Sequence, residues 1–421
     1  MIRYFTIHTR YQILLACRKI PRNPVLNPYP LTFMSVVGFS VFMALTPAAY
    51  GTPSARSIPE SAYSQQGNGL SLVNHLEIES VSNLSGGLAR GSTATGLWEG
   101  DLALHTGKAG WWPGGLFVVG GLAVDSGEPD SLYVGDLQGV SNLTTAYRHI
   151  ALLYKVYYRQ TLGAYTFRIG LINPNDYFND TGVASDLFNA SFGIFPTITF
   201  NLPYTPTYPY SSLGFMAAGR WGGTKVMAGV FGADGVHPFR RPWGGNGLIY
   251  YGEVDETLLA GPGRLTLKVG GYYNQVHGPY LTREIGIGAA ASQDGFYGTG
   301  EYRWKSAGMD WGAFVQGGSA PNAATVSPVN TYLGAGLRLR HFLPASPGST
   351  VSLGVARAWQ QKGGVETSIE MNWKQPLLPG LSLAPDLQYV LNPGAPRPSG
   401  NTLPNALVAI VRLSWHYALQ G

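Results

Sequence analysis

The chain has 421 residues, of which 12% are charged and 12% are aromatic, and its mean hydropathy is close to zero. Soluble globular domains carry about 25% charged residues, and a protein built from spanning helices needs apolar runs of about 18 residues or more. The chain after residue 51 contains no such run, which excludes a helical membrane protein. A low charge without long apolar runs is typical of a membrane barrel, where every second strand residue faces lipid.

The first 51 residues predict an export signal. They contain five basic residues and no acidic one, followed by an apolar stretch from Leu31 to Leu45 and small residues at Ala48, Ala49 and Gly51. A basic region, an apolar region and a small-residue zone in this order mark a secretory signal, so we expect cleavage near residues 48–51. The alternative is an uncleaved anchor, but the apolar stretch is short for that role.

Charge and cysteine content both change once this leader is set aside. Without its five basic residues, 23 basic and 23 acidic residues remain, so the exported part is formally neutral. A nucleic-acid partner therefore loses its main support. Cys17, the one cysteine of the chain, lies in the leader, so disulfides and cysteine catalysis are excluded from the exported part.

Residues 52–95 are rich in Ser and Gly, and we expect them to form a short N-terminal segment ahead of a barrel over residues 96–421. From about Trp98 onward, short alternating segments recur between Gly, Pro, Asn and Asp residues. The clearest is 365–374, in which one face carries Val365, Thr367, Ile369, Met371 and Trp373 and the other carries Glu366, Ser368, Glu370, Asn372 and Lys374. Strand side chains alternate with period two, so one face suits lipid and the other suits water.

The length of the exported part predicts the number of strands. About 370 residues, at roughly 20–24 residues for each strand with its turn or loop, give about 16 strands. We therefore predict an all-β fold, a transmembrane antiparallel β-barrel of a size that holds an aqueous channel. Aromatic residues at segment ends, such as Trp111, Trp112, Tyr250, Tyr272 and Trp373, favour the interfacial girdles of a membrane barrel over the core of a soluble β-protein.

Charged residues within the alternating segments are candidates for the pore lining. Arg168, Arg338, Arg340, Glu366 and Glu370 alternate with apolar residues. An Arg facing lipid at the bilayer midplane costs about 2–4 kcal/mol, so we expect these side chains to point inward. They would offer a sugar hydrogen-bond donors and acceptors at a polar constriction. The alternative is that they brace the wall, with Arg168 paired to Glu366 or Glu370.

Several stretches of the sequence resemble the carbohydrate-selective porins of the OprB type. They are Gly110–Phe117, Val134–Asn142, Leu153–Gln160, Phe167–Gly170, Asn173–Phe178, Phe188–Gly193, Tyr208–Pro209 and Pro385–Gly394. The resemblance covers residues 96–421 in order. It implies a sixteen-stranded barrel in the bacterial outer membrane that lets sugars or polyols diffuse passively into the periplasm.

The resemblance also implies the partners: outer-membrane lipid, permeating sugars and the barrel-insertion machinery. Barrels of this kind usually end on an aromatic residue, which that machinery recognises. Here Ala409, Val411, Leu413, Trp415 and Tyr417 alternate properly, but residues 418–421 follow. The sequence leaves the oligomeric state open.

No catalytic, cofactor-binding or metal-binding site is predicted. The sequence has neither His-Glu-x-x-His nor Gly-x-Ser-x-Gly, and its histidines are scattered without metal-ligand spacing. An outer-membrane lipase stays open as an alternative, because a Ser–His pair can meet only in space. Two further alternatives are a general or non-sugar channel and a barrel that serves as an anchor or an export conduit.

Overall fold

The computed structural model describes residues 58–63, 68–199, 205–240, 247–276, 291–321, 329–360, 363–394 and 402–420. The expected leader lies outside the described residues, so its cleavage stays a prediction. The helices of the described part are short, and none has both the length and the apolar character needed to span a bilayer.

The described residues form sixteen strands in one closed antiparallel barrel, as predicted. Each strand pairs with its neighbours in the chain, and β1 pairs with β16 to close the ring. The strands are β1 (Leu70–Ser85), β2 (Gly91–His105), β3 (Gly115–Asp125), β4 (His149–Leu162), β5 (Tyr165–Ile172), β6 (Ser212–Trp221), β7 (Thr224–Gly232), β8 (Gly247–Ala260), β9 (Gly263–Val276), β10 (Ala291–Ser306), β11 (Met309–Ser319), β12 (Val329–Arg340), β13 (Thr350–Gln360), β14 (Val365–Leu378), β15 (Leu381–Leu391) and β16 (Ala406–Gln420).

The barrel begins earlier than expected. The prediction of a separate segment over 52–95 is wrong for most of that range, because β1 starts at Leu70 and β2 at Gly91. Leu72 and Ile78 face outward in β1, while Glu77 and Glu79 are buried on the inner face. The region alternates like the other strands, and its Ser and Gly content conceals the alternation.

The two ends of the barrel differ in the length of their connections. At one end, two-residue turns at 163–164, 222–223, 261–262, 307–308 and 379–380 join neighbouring strands. At the other end, the connections include 126–148 and 173–211. We call these the short-turn end and the long-loop end. Outer-membrane barrels place short turns on the periplasmic side and longer loops outside the cell, which orients the chain.

Side chains alternate between the two faces of the wall as predicted. In β14, Ile369, Met371 and Trp373 are exposed on the outside, while Glu366 and Glu370 are buried on the inside. Outward aromatic residues gather near strand ends, where Trp304 stacks on Trp311 with ring centroids 5.9 Å apart. An apolar outer band with aromatic residues at its edges suits a bilayer.

Two long loops fold into the barrel and supply its apolar core. The first inserted loop, residues 126–148, contains one π-helical turn at Asp130–Val134. The second inserted loop, described over residues 173–199 and 205–211, contains the 3-10 turns Pro174–Asp176, Ala184–Asp186 and Ala190–Phe192 and the helix α1 (Pro196–Thr199). Phe178 of the second loop stacks on Tyr251 of the wall at 5.3 Å, and Phe195 packs on Tyr332 at 5.0 Å. The core of the molecule therefore lies between loops and wall, inside the barrel.

Candidate functional site

Charged side chains that keep some contact with solvent lie on the inner wall from β4 to β12. Six of the basic ones have an acidic partner: Arg159 and Arg168 with Glu60, Lys225 with Asp255 at 3.6 Å, Lys268 with Asp180 at 3.8 Å, Arg303 with Glu301 at 2.8 Å, and Arg340 with Asp186 at 3.0 Å. All of the basic members lie in the half of their strand nearer the short-turn end. We call this series of ion pairs the polar track.

Arg168 lies on β5 and binds Glu60 with its guanidinium group. Its Nε donates to Oε1 of Glu60 at 2.8 Å and its NH2 donates to Oε2 at 2.9 Å, which is a bidentate pair. Its guanidinium also lies 4.4 Å from the ring centroid of Tyr177. The hypothesis that Arg168 pairs with Glu366 or Glu370 is wrong, because its carboxylate partner comes from the segment ahead of β1.

That segment is Ile58–Tyr63, which we call the lumen segment. The backbone N–H of Ile58 donates to both carboxylate oxygens of Glu99 at 3.1 Å, and Nζ of Lys155 donates to the carbonyl oxygen of Ile58 at 3.0 Å. The hydroxyl of Tyr63 donates to Asp101 at 2.7 Å. The segment is therefore fastened at both ends to β2 and β4.

Arg338 and Arg340 share one carboxylate of the second inserted loop. NH2 of Arg340 donates to Oδ2 of Asp186 at 3.0 Å, and NH1 of Arg338 lies 3.4 Å from the same oxygen and donates to the carbonyl oxygen of Gly182 at 2.8 Å. Burial by itself raises the pKa of Asp186, but the charges of Lys374, Arg340 and Arg338 outweigh it and hold that pKa below its usual value. The Arg340 side chain keeps 35% of its surface exposed and that of Arg338 keeps 8%, so Arg340 is the one that meets the aqueous path.

Glu366 and Glu370 point inward, as predicted, but the inserted loops cover them completely. Glu366 accepts from the backbone N–H groups of Leu137 at 2.7 Å and Gln138 at 2.9 Å in the first loop. Glu370 accepts from the backbone N–H groups of Phe188 and Asn189 in the second loop. Their expected place on the pore surface, facing arginines, is therefore corrected: both carboxylates hold loops against the wall.

The sequence did not point to Glu60, Lys155 or Asp186. Glu60 and Asp186 lie outside the strands, where alternation carries no information. Lys155 lies at a bulge in β4, where the pairing with β3 shifts between Gly120 and Gly121, and both Tyr154 and Lys155 are buried. A bulge interrupts the period of two, so the inward position of this lysine does not follow from spacing. Among the described residues, no cluster of His, Cys, Asp or Glu is arranged to hold a metal ion.

Comparison with known proteins decides the family. The sequence model for carbohydrate-selective porins of the OprB family matches residues 65–417. The chain belongs to the OprB family. A search of curated protein sequences finds no significant match. Among solved structures, OprB of Pseudomonas putida at high pH has a TM-score of 0.72 at 16% identity, over 83% of this chain and 94% of that chain. The low-pH structure of the same protein has a TM-score of 0.54 at 15% identity, over 83% of this chain and 93% of that chain.

Membership in the OprB family gives the polar track its setting. The chain is a β-barrel porin of the bacterial outer membrane from a carbohydrate-selective family, and it is a channel rather than an enzyme. Its outer face contacts lipid, and its permeating solutes are sugars. The family match starts at residue 65, five residues ahead of β1, which agrees with a barrel that begins at Leu70.

Proposed function

We propose that the polar track is the part of this OprB porin that handles sugars, and that the permeating solutes are neutral sugars and polyols. The observation that carries the proposal is the pairing of six basic side chains of the inner wall with five carboxylates. The carboxylates offset most of the positive charge of these six side chains and leave the path with many hydrogen-bond donors and acceptors. A sugar hydroxyl can exchange its water for these groups.

Arg340, Arg303 and Arg168 have different roles under this proposal. Arg340 and Arg303 are the more exposed guanidinium groups, so they meet the solute directly. Arg168 is mostly covered and acts together with Glu60. Guanidinium groups suit this task because each presents several donors in a fixed plane and stays charged at every relevant pH.

Two alternatives make different predictions. An export conduit for a large substrate needs a wide lumen, whereas here two inserted loops pack against the inner wall. A general channel passes all small solutes according to size alone. The polar track supplies donors and acceptors from β4 to β12. It therefore favours a sugar-selective channel over an export conduit and over a general channel.

Liposome swelling tests the proposal. Purified protein is reconstituted, and swelling rates are compared for glycerol, a pentose, a hexose and a disaccharide, and then for amino acids of matched size. We expect the pentose and hexose to enter faster than amino acids of equal size. Rates that follow size alone across both solute classes would support the general channel instead. A channel without lipase activity should cause no lipid hydrolysis in the same vesicles.

A further inference from the structure

The carboxylate of Glu60 occupies a site built from four side chains of the wall and the second inserted loop. Oε1 accepts from Nε of Arg168 at 2.8 Å, from the hydroxyl of Tyr157 at 3.0 Å and from the hydroxyl of Tyr177 at 3.2 Å. Oε2 accepts from NH2 of Arg168 at 2.9 Å and from NH1 of Arg159 at 3.0 Å. Five donor atoms converge on one carboxylate, and two of the four side chains that supply them carry positive charge.

This arrangement is a receptor for a carboxylate. A bidentate guanidinium matches the two oxygens of a carboxylate in its plane, and charge-assisted hydrogen bonds are about twice as strong as neutral ones. The side chains of Arg159 and Arg168 are 17% and 11% exposed, so little water competes for them. Burial by itself raises the pKa of Glu60, yet hydrogen bonds and charge from Arg168 and Arg159 lower it to about 2.

The occupant of the site belongs to the same chain and is held in place independently. Glu60 lies between Ile58 and Tyr63, and these two residues are anchored by Glu99, Lys155 and Asp101. The anchors use none of the four side chains that bind the Glu60 carboxylate. A change at position 60 therefore leaves the lumen segment fastened while it empties the carboxylate site.

We propose that Glu60 excludes acidic sugars from the pore by filling, from within the chain, a site that would otherwise bind a sugar carboxylate. The ligand class is the monocarboxylate sugar, a uronate or an aldonate, which carries the same group that Arg168, Arg159, Tyr157 and Tyr177 bind. With Glu60 in place, an arriving anion meets a filled site and a like charge. The inference rests on the proposed passage of neutral sugars. It assigns to Glu60 the restriction of permeation to neutral sugars.

The test compares flux of glucuronate with flux of glucose, which has a similar size and no charge, in reconstituted liposomes. We expect Glu60→Ala to raise the glucuronate-to-glucose flux ratio about fivefold, the factor for removing one like charge at contact distance in water. Glu60→Gln keeps the shape of the occupant and removes only its charge, so we expect a smaller rise. Because Gln preserves the packing, it also serves as the variant of choice if Glu60→Ala folds poorly.

Asp180→Asn is the matched control, because it removes another carboxylate of the track, the one that pairs with Lys268 of β9. If Asp180→Asn raises the glucuronate-to-glucose flux ratio as much as Glu60→Ala does, the total charge of the lumen and not the Glu60 site excludes acidic sugars. That result would overturn the inference. Sodium acetate is the second probe. It should reduce glucuronate flux through Glu60→Ala and leave the double variant Glu60→Ala/Arg168→Gln unaffected.

The readouts separate this inference from the proposed function. A wild-type protein that passes no glucose contradicts the proposed function. A wild-type protein that passes glucose, with an unchanged glucuronate-to-glucose ratio in Glu60→Ala, contradicts the role of Glu60 alone.

Discussion

Glu370 of β14 accepts a hydrogen bond of 2.9 Å from the backbone N–H of Asn189, which is 181 residues away in the second inserted loop. The same carboxylate accepts from the N–H of Phe188, so two buried donors of the loop depend on one side chain. One residue of the wall thereby holds a long loop inside the lumen.

We expect Glu370→Ala to lower the free energy of unfolding by about 3 kcal/mol, because two buried N–H groups lose their partner and each buried donor left unsatisfied costs about 1–3 kcal/mol. Thermal unfolding in detergent, followed by circular dichroism, measures the change. Thr367→Ala, on the outer face of the same strand, is the control and should change little. A similar loss in both variants would mean that Glu370 does not anchor the loop.

Substitution of Arg338 should mainly affect stability, whereas substitution of Arg340 should mainly affect permeation. Removing one partner of a buried ion pair costs about 3–5 kcal/mol, and Arg338 is the buried member of this pair of arginines. We expect Arg338→Ala to destabilise the barrel by about 3 kcal/mol, with Arg340→Ala costing about 1 kcal/mol or less. Arg340→Ala should instead lower single-channel anion preference, measured as a reversal potential across a salt gradient. The reverse order of effects would contradict these assignments.

Arg168 should influence ion selectivity through its charge. It should influence sugar flux through the planar shape of its guanidinium group. Arg168→Ala leaves Glu60 with Arg159 as its remaining basic partner, so we expect anion preference to fall and sugar block of the single-channel current to change. Arg168→Lys restores the charge but not the bidentate fork, so it should rescue ion preference better than sugar block. An Ala variant with unaltered conductance, ion selectivity and sugar block would end this interpretation.

The pH dependence of ion selectivity should follow Glu60 at the acid end. Its pKa is lowered from 4.5 to about 2, so its ionised form favours the folded state. That stabilisation is present above pH 4.5 and is lost as the pH falls through about 2. In the folded pore, Glu60 keeps its charge at about pH 4, and its neutralisation near pH 2 should shift selectivity towards anions.

The measurement compares the reversal potential of the wild type with that of Glu60→Gln at each pH. The comparison is needed because Arg159, Arg168, Tyr157 and Tyr177 contact Glu60 and His105 lies within reach of its charge. The difference between the two proteins should fall to about half near pH 2, where half of Glu60 is protonated. A difference that is already halved near pH 4.5 would show that Glu60 titrates normally.

The alternation of apolar and polar residues predicted the barrel well, because it depends only on which side of its own strand each residue faces. The period of two in 365–374 placed Glu366 and Glu370 on the inner face, and both are there. It could not say whether an inner residue meets water or a loop. Glu366 meets Leu137, which is 229 residues away, and no pattern within β14 depends on that contact.

The contacts of the candidate site were less predictable for the same physical reason. Arg168 was placed in the lumen by its neighbours Phe167 and Ile169, but its partner Glu60 is 108 residues away. The two meet only because the barrel brings β5 to the lumen segment. The early strands were missed because Ser and Gly indicate irregular chain in a soluble protein, whereas a barrel wall accepts Ser on its wet face and Gly where strands crowd.

The closing seam of the barrel has a consequence for assembly. Ser71 of β1 pairs with Gln420 of β16, and residues 418–420, which follow the aromatic Tyr417, are part of that seam. Until β16 pairs with it, the edge of β1 presents backbone N–H and C=O groups without partners, and lipid cannot form hydrogen bonds with them. Membrane insertion of this chain therefore cannot proceed stepwise along the sequence: the edge of its first strand must stay out of lipid until its last strand arrives. A truncation at the seam should leave material that is degraded rather than a smaller pore.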